Sequence, residues 1–582
     1  MKNLREYLAL LASKGELREI SEPCDPRLEI PEIHRRVVEK RGPALLFRHP
    51  IGSDFPLVTN LFGTPERIRW AFGSKPEEFV RDAVRVVSEM GSGLGALWEA
   101  RGWAWKALRV GLKDTKRGPI TECGPENPAL QRLPATVSWP GDGGPFLTLP
   151  LVYTEHPESG KHNLGIYRMQ TFSDAEAGMH WQIHKGGGFH YHEAEKRKQA
   201  LPVAVFLGGP PALIFAAIAP LPEDVPELLL ASLLLGEKLE RVRVRDFPLP
   251  LVAEAEFALL GEIAPGERRP EGPFGDHYGY YSLRHDFPVF RARSLYRRRD
   301  AIACATVVGA PPQEDLYIGD YLQELLSPLF PLVMPSVRRL AAYGETGFHP
   351  LVAAEVKVRY PREAFASGLR ILGESQLTLT KVLLLVDSPV PFRPFCGLLE
   401  HLLRRSDFAC DLRIFAATSM DTLDYAGPRL NEGSKMLWMA VGPERYPLTD
   451  AAPGNLPVGA RKARAFCPGC LVIEGPSYAA DQEFPIRLAG SPELTPWRMV
   501  VLVDDIEEVM ASEMAFLWAV FTRFNPASDI HPKSARLVQH QPVFETPLVW
   551  DARIKPWYPE KLTADPGVSK LVDQKWPRLQ IG

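Results

Sequence analysis

The first helix of the chain is written in its spacing: Leu4, Tyr7, Leu8 and Leu11 recur at three- and four-residue intervals and share one face. The same period predicts helices over 29–39, 65–72 and 76–88. Between them the short apolar runs PALLF and PLVTN read as strands, so residues 1–115 are expected to form a small α/β domain. From 116 to 312 the period shortens. LTLPLVYT, LGIYRMQTF, LPVAVFLG, ALIFAAIA, ERVRVR, EAEFALLGEI and FPVFRARSLYRR, parted by Gly and Pro, predict a series of strands making a barrel or a strongly curved sheet. The longest apolar stretch, 203–221, is interrupted by Gly208, Gly209, Pro210 and Pro211. It reads as strand, turn, strand rather than a membrane span.

From 313 to 450 helical and strand patterns alternate again, as in a second α/β domain. Residues 451–582 resemble a further copy of it. KVLLLVD ending at Asp387 is matched by MVVLVDD ending at Asp505, and the same offset of 118 pairs Leu399 with Leu517, Arg405 with Arg523, and Asp411 with Asp529. A shared offset points to duplication of a strand, turn, helix, strand unit, forming an extra C-terminal layer. The fold class expected is thus a multidomain mixture of α+β and α/β.

Composition narrows the functional classes. A chain of 582 residues exceeds what one core organises, and a net charge of -3 with 24% charged residues gives no basic surface for nucleic acid. The amphipathic N-terminus has no continuous apolar signal core, which predicts a cytoplasmic protein. Seven scattered cysteines suit reduced thiols; Cys467 and Cys470 in CPGC are half a zinc site at most, since no second pair follows at ligand spacing.

Three segments could carry chemistry. In EGPFGDHYGYY (271–281), Pro273 and the glycines forbid a helix, so Glu271 and Asp276 sit on a tight loop where two carboxylates can converge. Such a loop is ordinarily a solvated turn, but the histidine and aromatics directly behind it offer a dry wall able to shift a carboxyl pKa. In KHNLGIYRMQ, Asn163 and Arg168 are five apart, an odd separation that sends them to opposite faces of a strand. In MHWQIHKGGGFHYHEAEKRK (179–198), Gly186, Gly187 and Gly188 let backbone N–H groups approach a phosphate, with Lys185 and His180 adding positive charge. His190, His192 and Glu193 read as a hydrated helix start, and Glu227 as the acid opening the helix ELLLASLLLG.

In order and spacing these segments resemble the UbiD family of prenylated-flavin-dependent decarboxylases: NLGIYRMQ, HWQIHKGG, PLPEDVPELLL and EGPFGDH follow one another across nearly the whole chain. The resemblance implies a central split β-barrel that binds the flavin over 116–312, flanked by the N- and C-terminal α/β domains. It implies prenylated FMN as cofactor, contacted by Ile166, Tyr167, Arg168, His180, Trp181, Gln182, Lys185 and Gly186. It further implies a divalent metal, Mn²⁺, on Asn163, His184 and Glu227, with K⁺ as an accompanying ion. Arg168, Glu271 and Asp276 become the catalytic trio. His180 and Gln182 depart from the residues expected in the ubiquinone branch, and the chain is longer.

Segments 419–435, 521–530 and 550–559 resemble the long branch linked to menaquinone synthesis, which implies a 1,4-dihydroxy-6-naphthoate substrate, prenylated or not. Lys435 would reach the cofactor from the C-terminal domain. A flavin prenyltransferase would supply the cofactor, a homodimer or larger homo-oligomer is expected, and a prenylated substrate would bring peripheral membrane contact. The alternatives are a 4-hydroxy-3-polyprenylbenzoate or other aromatic acid decarboxylase or carboxylase, and a non-catalytic flavin-binding protein. Loss of carbon dioxide from a ring needs an electron sink that no ordinary side chain supplies. Asp276 is the expected proton donor, its protonation favoured by burial and by Glu271, while Arg168 pairs with Glu271 and orients the leaving carboxylate.

Overall fold

The computed structural model describes residues 1–89, 108–181, 186–219, 221 and 226–581. The chain divides into two compact units, Met1–Leu325 with Lys561–Gly582, and Leu326–Glu560. Among the described residues no helix is long and apolar enough to cross a membrane, and all seven cysteines are free thiols.

Unit 1 opens with the helix Leu4–Ser13, capped by Asn3 and burying Leu4, Tyr7, Leu8 and Leu11. A four-stranded sheet follows, in the order Leu17–Ile20, Ala44–Phe47, Leu57–Thr59 and Ala303–Cys304. The larger sheet runs Glu176–Gly178, His285–Arg297, Phe257–Glu271, Leu201–Leu207, Leu151–Glu155, His162–Ile166, with Cys123–Glu126 on the flank of His285–Arg297. Every neighbouring pair in it is antiparallel. This strand path stays open; the described residues form an open sheet and no closed barrel. Its inner face shares one core with the N-terminal helices, where Ile33, Val37 and Phe47 meet Val203, Val205, Phe257 and Phe290.

One predicted strand is a helix. After Leu201–Leu207 the chain turns at Gly208 and Gly209, both at positive φ, and enters the helix Pro211–Ile218 rather than a second strand. Proline at the first helical turn loses no hydrogen bond, and ALIFAAI is apolar on every side because the helix is buried nearly all round. Periodicity alone cannot tell such a segment from a buried strand.

The last part of the chain also belongs to unit 1. The helix Pro566–Leu579 lies along Glu29–Glu39, with Lys575 Nζ 2.6 Å from Glu29 Oε1, the Ser569 hydroxyl donating to Glu32 Oε1 at 3.0 Å, and Val572 and Leu579 in the core. Just before it, the Leu562 N–H donates to the Gly279 carbonyl at 3.0 Å and Lys561 bridges to Tyr280.

Unit 2 contains two five-stranded sheets of the same design. The first runs Val337–Tyr343, Phe348–Val356, Val382–Val386, Glu432–Ala440, Leu412–Ser419; the second runs Lys462–Cys467, Cys470–Glu474, Met499–Val503, Gln541–Asp551, Ile530–Val538. In both the successive pairings are antiparallel, parallel, parallel, antiparallel. The helices Phe395–Arg405 and Glu513–Arg523 begin and end 118 residues apart. Asp411 and Asp529 do the same local work: each carboxylate accepts the backbone N–H four residues earlier, of Asp407 and Asn525, at 2.8 Å.

Candidate active site

The long strand Phe257–Glu271 delivers Glu271 to the end of the central sheet, where the chain reverses through the cis Gly272-Pro273 bond. The loop beyond it is a small hairpin: Phe274–Gly275 pairs with Tyr281–Ser282, and Asp276 opens its turn, its N–H donating to the Tyr280 carbonyl at 3.1 Å. Gly279 takes φ +82, a conformation glycine adopts at little cost. Arg168 arrives from the opposite side, two residues past the strand His162–Ile166.

Its guanidinium joins three side chains. Arg168 Nε donates to Glu271 Oε1 at 3.0 Å, one terminal nitrogen pairs with Asp276 Oδ2, and the other donates to Ser282 Oγ at 3.0 Å. The Phe274 ring lies 4.4 Å from the guanidinium carbon. The Arg168 and Asp276 side chains are only 8% and 11% exposed, and Glu271 is fully covered. His180 Nδ1 sits 3.3 Å from Glu271 Oε1, its ring against Phe287. Asp276 Oδ1 accepts the His277 backbone N–H at 2.8 Å and faces His277 Nδ1 at 2.9 Å.

This corrects the expected charge state. Burial pushes the Asp276 carboxyl upward, but the Arg168 guanidinium and His277 outweigh it, and its pKa falls well below the ordinary carboxylate range. Burial likewise raises Glu271, while His180 and Arg168 bring it below normal. Burial, reinforced by Arg168, lowers His180 against the opposing pull of Glu271. Glu271 does not protonate Asp276, because the arginine stands between them.

Several residues that hold the loop were not singled out by the sequence. Gln170 accepts the Gly272 N–H at 2.9 Å and donates to the Gly143 carbonyl at 2.8 Å. Asp142 accepts the N–H groups of Gly275, Ser138 and Trp139 at 2.7 to 2.9 Å, and burial pushes its pKa up to about 6. Ser282 completes the arginine's set. None carries a motif, and the pairing of Ser282 opposite Phe274 is made only in the folded hairpin.

Of the implied cofactor contacts, Ile166 ends its strand, and Tyr167 OH accepts the Gly187 N–H at 3.2 Å and the Asn163 amide N–H at 3.3 Å. Trp181 packs edge-on to Tyr167 at 6.3 Å. Gly186 begins the helix Gly186–Lys196, and a Cβ there would stand 2.1 Å from Asn163 Oδ1, so any larger residue would displace the Asn163 amide. His190 is buried in that helix with Nδ1 2.9 Å from Thr154 Oγ1, and is therefore a core histidine. Glu227 opens the helix Glu227–Leu235 and its carboxylate accepts the Leu164 N–H at 3.2 Å, bringing it beside Asn163. Gln182, His184 and Lys185 lie outside the described residues. Lys435, implied as a cofactor contact, donates to the Thr378 and Thr380 carbonyls within unit 2 at 2.6 and 3.0 Å. Burial, partly offset by Asp424, lowers its pKa to about 8.

The donor set fits a planar, anionic cofactor. Among the described residues Trp181 Nε1 and Glu271 Oε2 are buried without a hydrogen-bond partner, and such atoms cost free energy unless a bound group engages them. Two oxygen donors, Asn163 and Glu227, are suited to a hard divalent cation. No cluster of three His, Cys, Asp or Glu is present among the described residues.

Comparison with known proteins defines the class. Residues 8–87, 112–311 and 316–440 match, in order, family models described as the N-terminal, Rift-related and C-terminal domains of 3-octaprenyl-4-hydroxybenzoate carboxy-lyase. The chain belongs to the UbiD family of carboxy-lyases and is a decarboxylase by class. A protein of Chlamydia pneumoniae, named as one of the subunits of a 4-hydroxybenzoate decarboxylase, is 48% identical over 99% of this chain and 98% of its own length. Among solved structures, HmfF from Pelotomaculum thermopropionicum in complex with FMN is 25% identical, covers 76% of this chain and 94% of its own, and superposes with a TM-score of 0.63. The vanillic acid decarboxylase of Sedimentibacter hydroxybenzoicus shares the fold at 23% identity, covering 84% and 98%, with a TM-score of 0.68.

Proposed function

We propose that this protein decarboxylates an aromatic acid with prenylated FMN bound against Trp181, Tyr167, Arg168 and the Gly186 backbone, over the split-barrel part of unit 1. The observation that carries the reading is one guanidinium gripping two buried carboxylates while Glu271 Oε2 and Trp181 Nε1 go unmet among the described residues. When bound, the cofactor supplies the electron sink for the bond to the departing carboxylate. Arg168 orients that carboxylate through its planar fork. Glu271 holds Arg168 in place. Asp276 delivers a proton to the vacated ring carbon, and the surrounding side chains exclude water. Asn163 and Glu227, with His184, would hold a divalent cation such as manganese beside the cofactor phosphate.

Two substrates are favoured by different observations. The name of the Chlamydia relative favours 4-hydroxybenzoate. A 1,4-dihydroxy-6-naphthoate is favoured by the three C-terminal segments resembling the long branch, which meet in unit 2 where the Ala527 N–H donates to Ser434 Oγ at 2.9 Å and Trp557 Nε1 donates to the Tyr425 carbonyl at 3.2 Å. The test is protein made together with a flavin prenyltransferase, its released small molecule read by absorbance and mass, then offered both acids. Prenylated FMN and carbon dioxide release from one acid are expected; ordinary FMN or nothing overturns the reading. Asp276→Asn is expected to keep the cofactor and lose roughly 10²- to 10⁴-fold in turnover.

A further inference from the structure

Each turnover of a decarboxylase consumes one proton at the ring carbon, and Asp276 has to be reloaded after every delivery. Its surroundings work against this. Oδ2 is held by Arg168, and the Asp276, Arg168 and Glu271 side chains are all but shut off from solvent. One neighbour is not. The His277 side chain is 29% exposed, yet its Nδ1 lies 2.9 Å from Asp276 Oδ1, on the oxygen that Arg168 leaves alone.

The hairpin turn fixes that geometry. The His277 backbone N–H donates to the same Oδ1 at 2.8 Å, and the Gly279 N–H donates to the Asp276 carbonyl at 2.9 Å, so imidazole and carboxylate are held together by adjacent backbone. The imidazole meets Tyr278 edge-on at 5.0 Å. Among the described residues the charged groups around it include Asp276, Asp315 at the start of the helix Glu314–Leu326, and Arg168 beyond Asp276, with Glu271 and His180 further back. Burial raises the Asp315 carboxyl, His277 opposes that rise, and Asp276 adds to it, which sets Asp315 within electrostatic reach of both.

We propose that His277 is a positioning residue and proton relay that carries a solvent proton to Asp276 between turnovers. A proton taken up at Nε2 from water or buffer is balanced by release of the Nδ1 proton to Asp276 Oδ1. Asp276 passes that proton to the ring carbon and returns to the carboxylate. While the partly exposed ring is turned to solvent, Nδ1 takes up a proton from water and Nε2 releases one, which restores the Nδ1–H tautomer. One proton moves from solvent to product, and no electrons are exchanged. The relay rests on the proposed role of Asp276 as acid.

Two measurements test it separately from that role. In the cofactor-loaded enzyme, His277→Ala is expected to lower kcat by about 10- to 100-fold with KM and cofactor content unchanged, and added imidazole is expected to restore a large part of the rate. Unchanged kcat, or a loss that imidazole does not restore, overturns the relay. In the ligand-free protein, the His277 ring resonances, assigned by their absence from His277→Gln, are expected to titrate about one unit lower in Asp276→Asn, because the neighbouring negative charge is gone. An unchanged titration overturns the pairing whatever the activity shows. If the wild-type enzyme turns over neither 4-hydroxybenzoate nor the naphthoate, the proposed function fails, and the resonance titration still decides whether His277 and Asp276 are coupled.

Discussion

Arg168 in unit 1 and Arg553 in unit 2 are both buried arginines in carboxylate pairs, and they end in opposite conditions. Arg553 Nε and one terminal nitrogen grip Asp551 at 2.8 and 2.7 Å, and the other terminal nitrogen donates to the Pro476 and Asp481 carbonyls at 3.0 and 2.8 Å. That set is closed upon itself and ties the second sheet to its flanking loop. Arg168 spreads its donors over Glu271, Asp276 and Ser282, and Glu271 Oε2 beside it still lacks a partner among the described residues. A buried ion pair alone does not mark a site. Unmet hydrogen-bonding capacity inside the charged cluster is what separates the Arg168 set from the Arg553 set, because such an atom costs free energy until a bound group engages it.

Removing each arginine gives the largest effects and the sharpest contrast. Arg168→Ala and Arg553→Ala each strand buried carboxylate and are expected to cost roughly 3–5 kcal/mol of unfolding free energy. Only Arg168→Ala is expected to abolish decarboxylation by the molecules that remain folded. Denaturant melts alongside kcat per folded molecule check this; loss of turnover in a still-folded Arg553→Ala protein would erase the distinction.

His34 separates unmet capacity inside a carboxylate–guanidinium cluster from unmet capacity outside one. It is fully buried in Glu29–Glu39, neither ring nitrogen has a partner among the described residues, and burial, helped by Arg35 and Arg67, lowers its pKa to about 3. The folded pKa lies below the unfolded one, so the unfolded chain takes up a proton that the folded chain refuses, and stability falls as pH drops below about 6.5. His34→Leu is expected to remove about 2 kcal/mol of that loss at pH 5 and to leave turnover unchanged, read as flatter melting temperature against pH.

The smallest effect concerns the return of the chain to the loop. Leu562→Pro deletes the N–H that bonds the Gly279 carbonyl and is expected to cost about 1 kcal/mol. Faster amide hydrogen exchange over 276–281, with cofactor content intact, is the expected sign; unaltered exchange there would show that the strap does not hold Asp276.

What the sequence determined by itself is local. Helices such as Glu29–Glu39 and Pro65–Phe72 follow from amphipathic spacing. The paired aspartates 411 and 529 carry the 118-residue offset because each closes the same turn. EGPFGDH marked two carboxylates on a turn because glycine and proline write backbone geometry directly. Tertiary structure decided the rest. The helix Pro211–Ile218 reads like a strand until the core surrounds it. Gln170 and Asp142 acquire their roles by bonding backbone more than a hundred residues away, as does Leu562 at Gly279. The charge of Asp276 was set the same way. A carboxyl's pKa depends on what stands within a few ångströms, and the guanidinium that holds it down comes from 108 residues earlier in the chain, a distance that only folding closes.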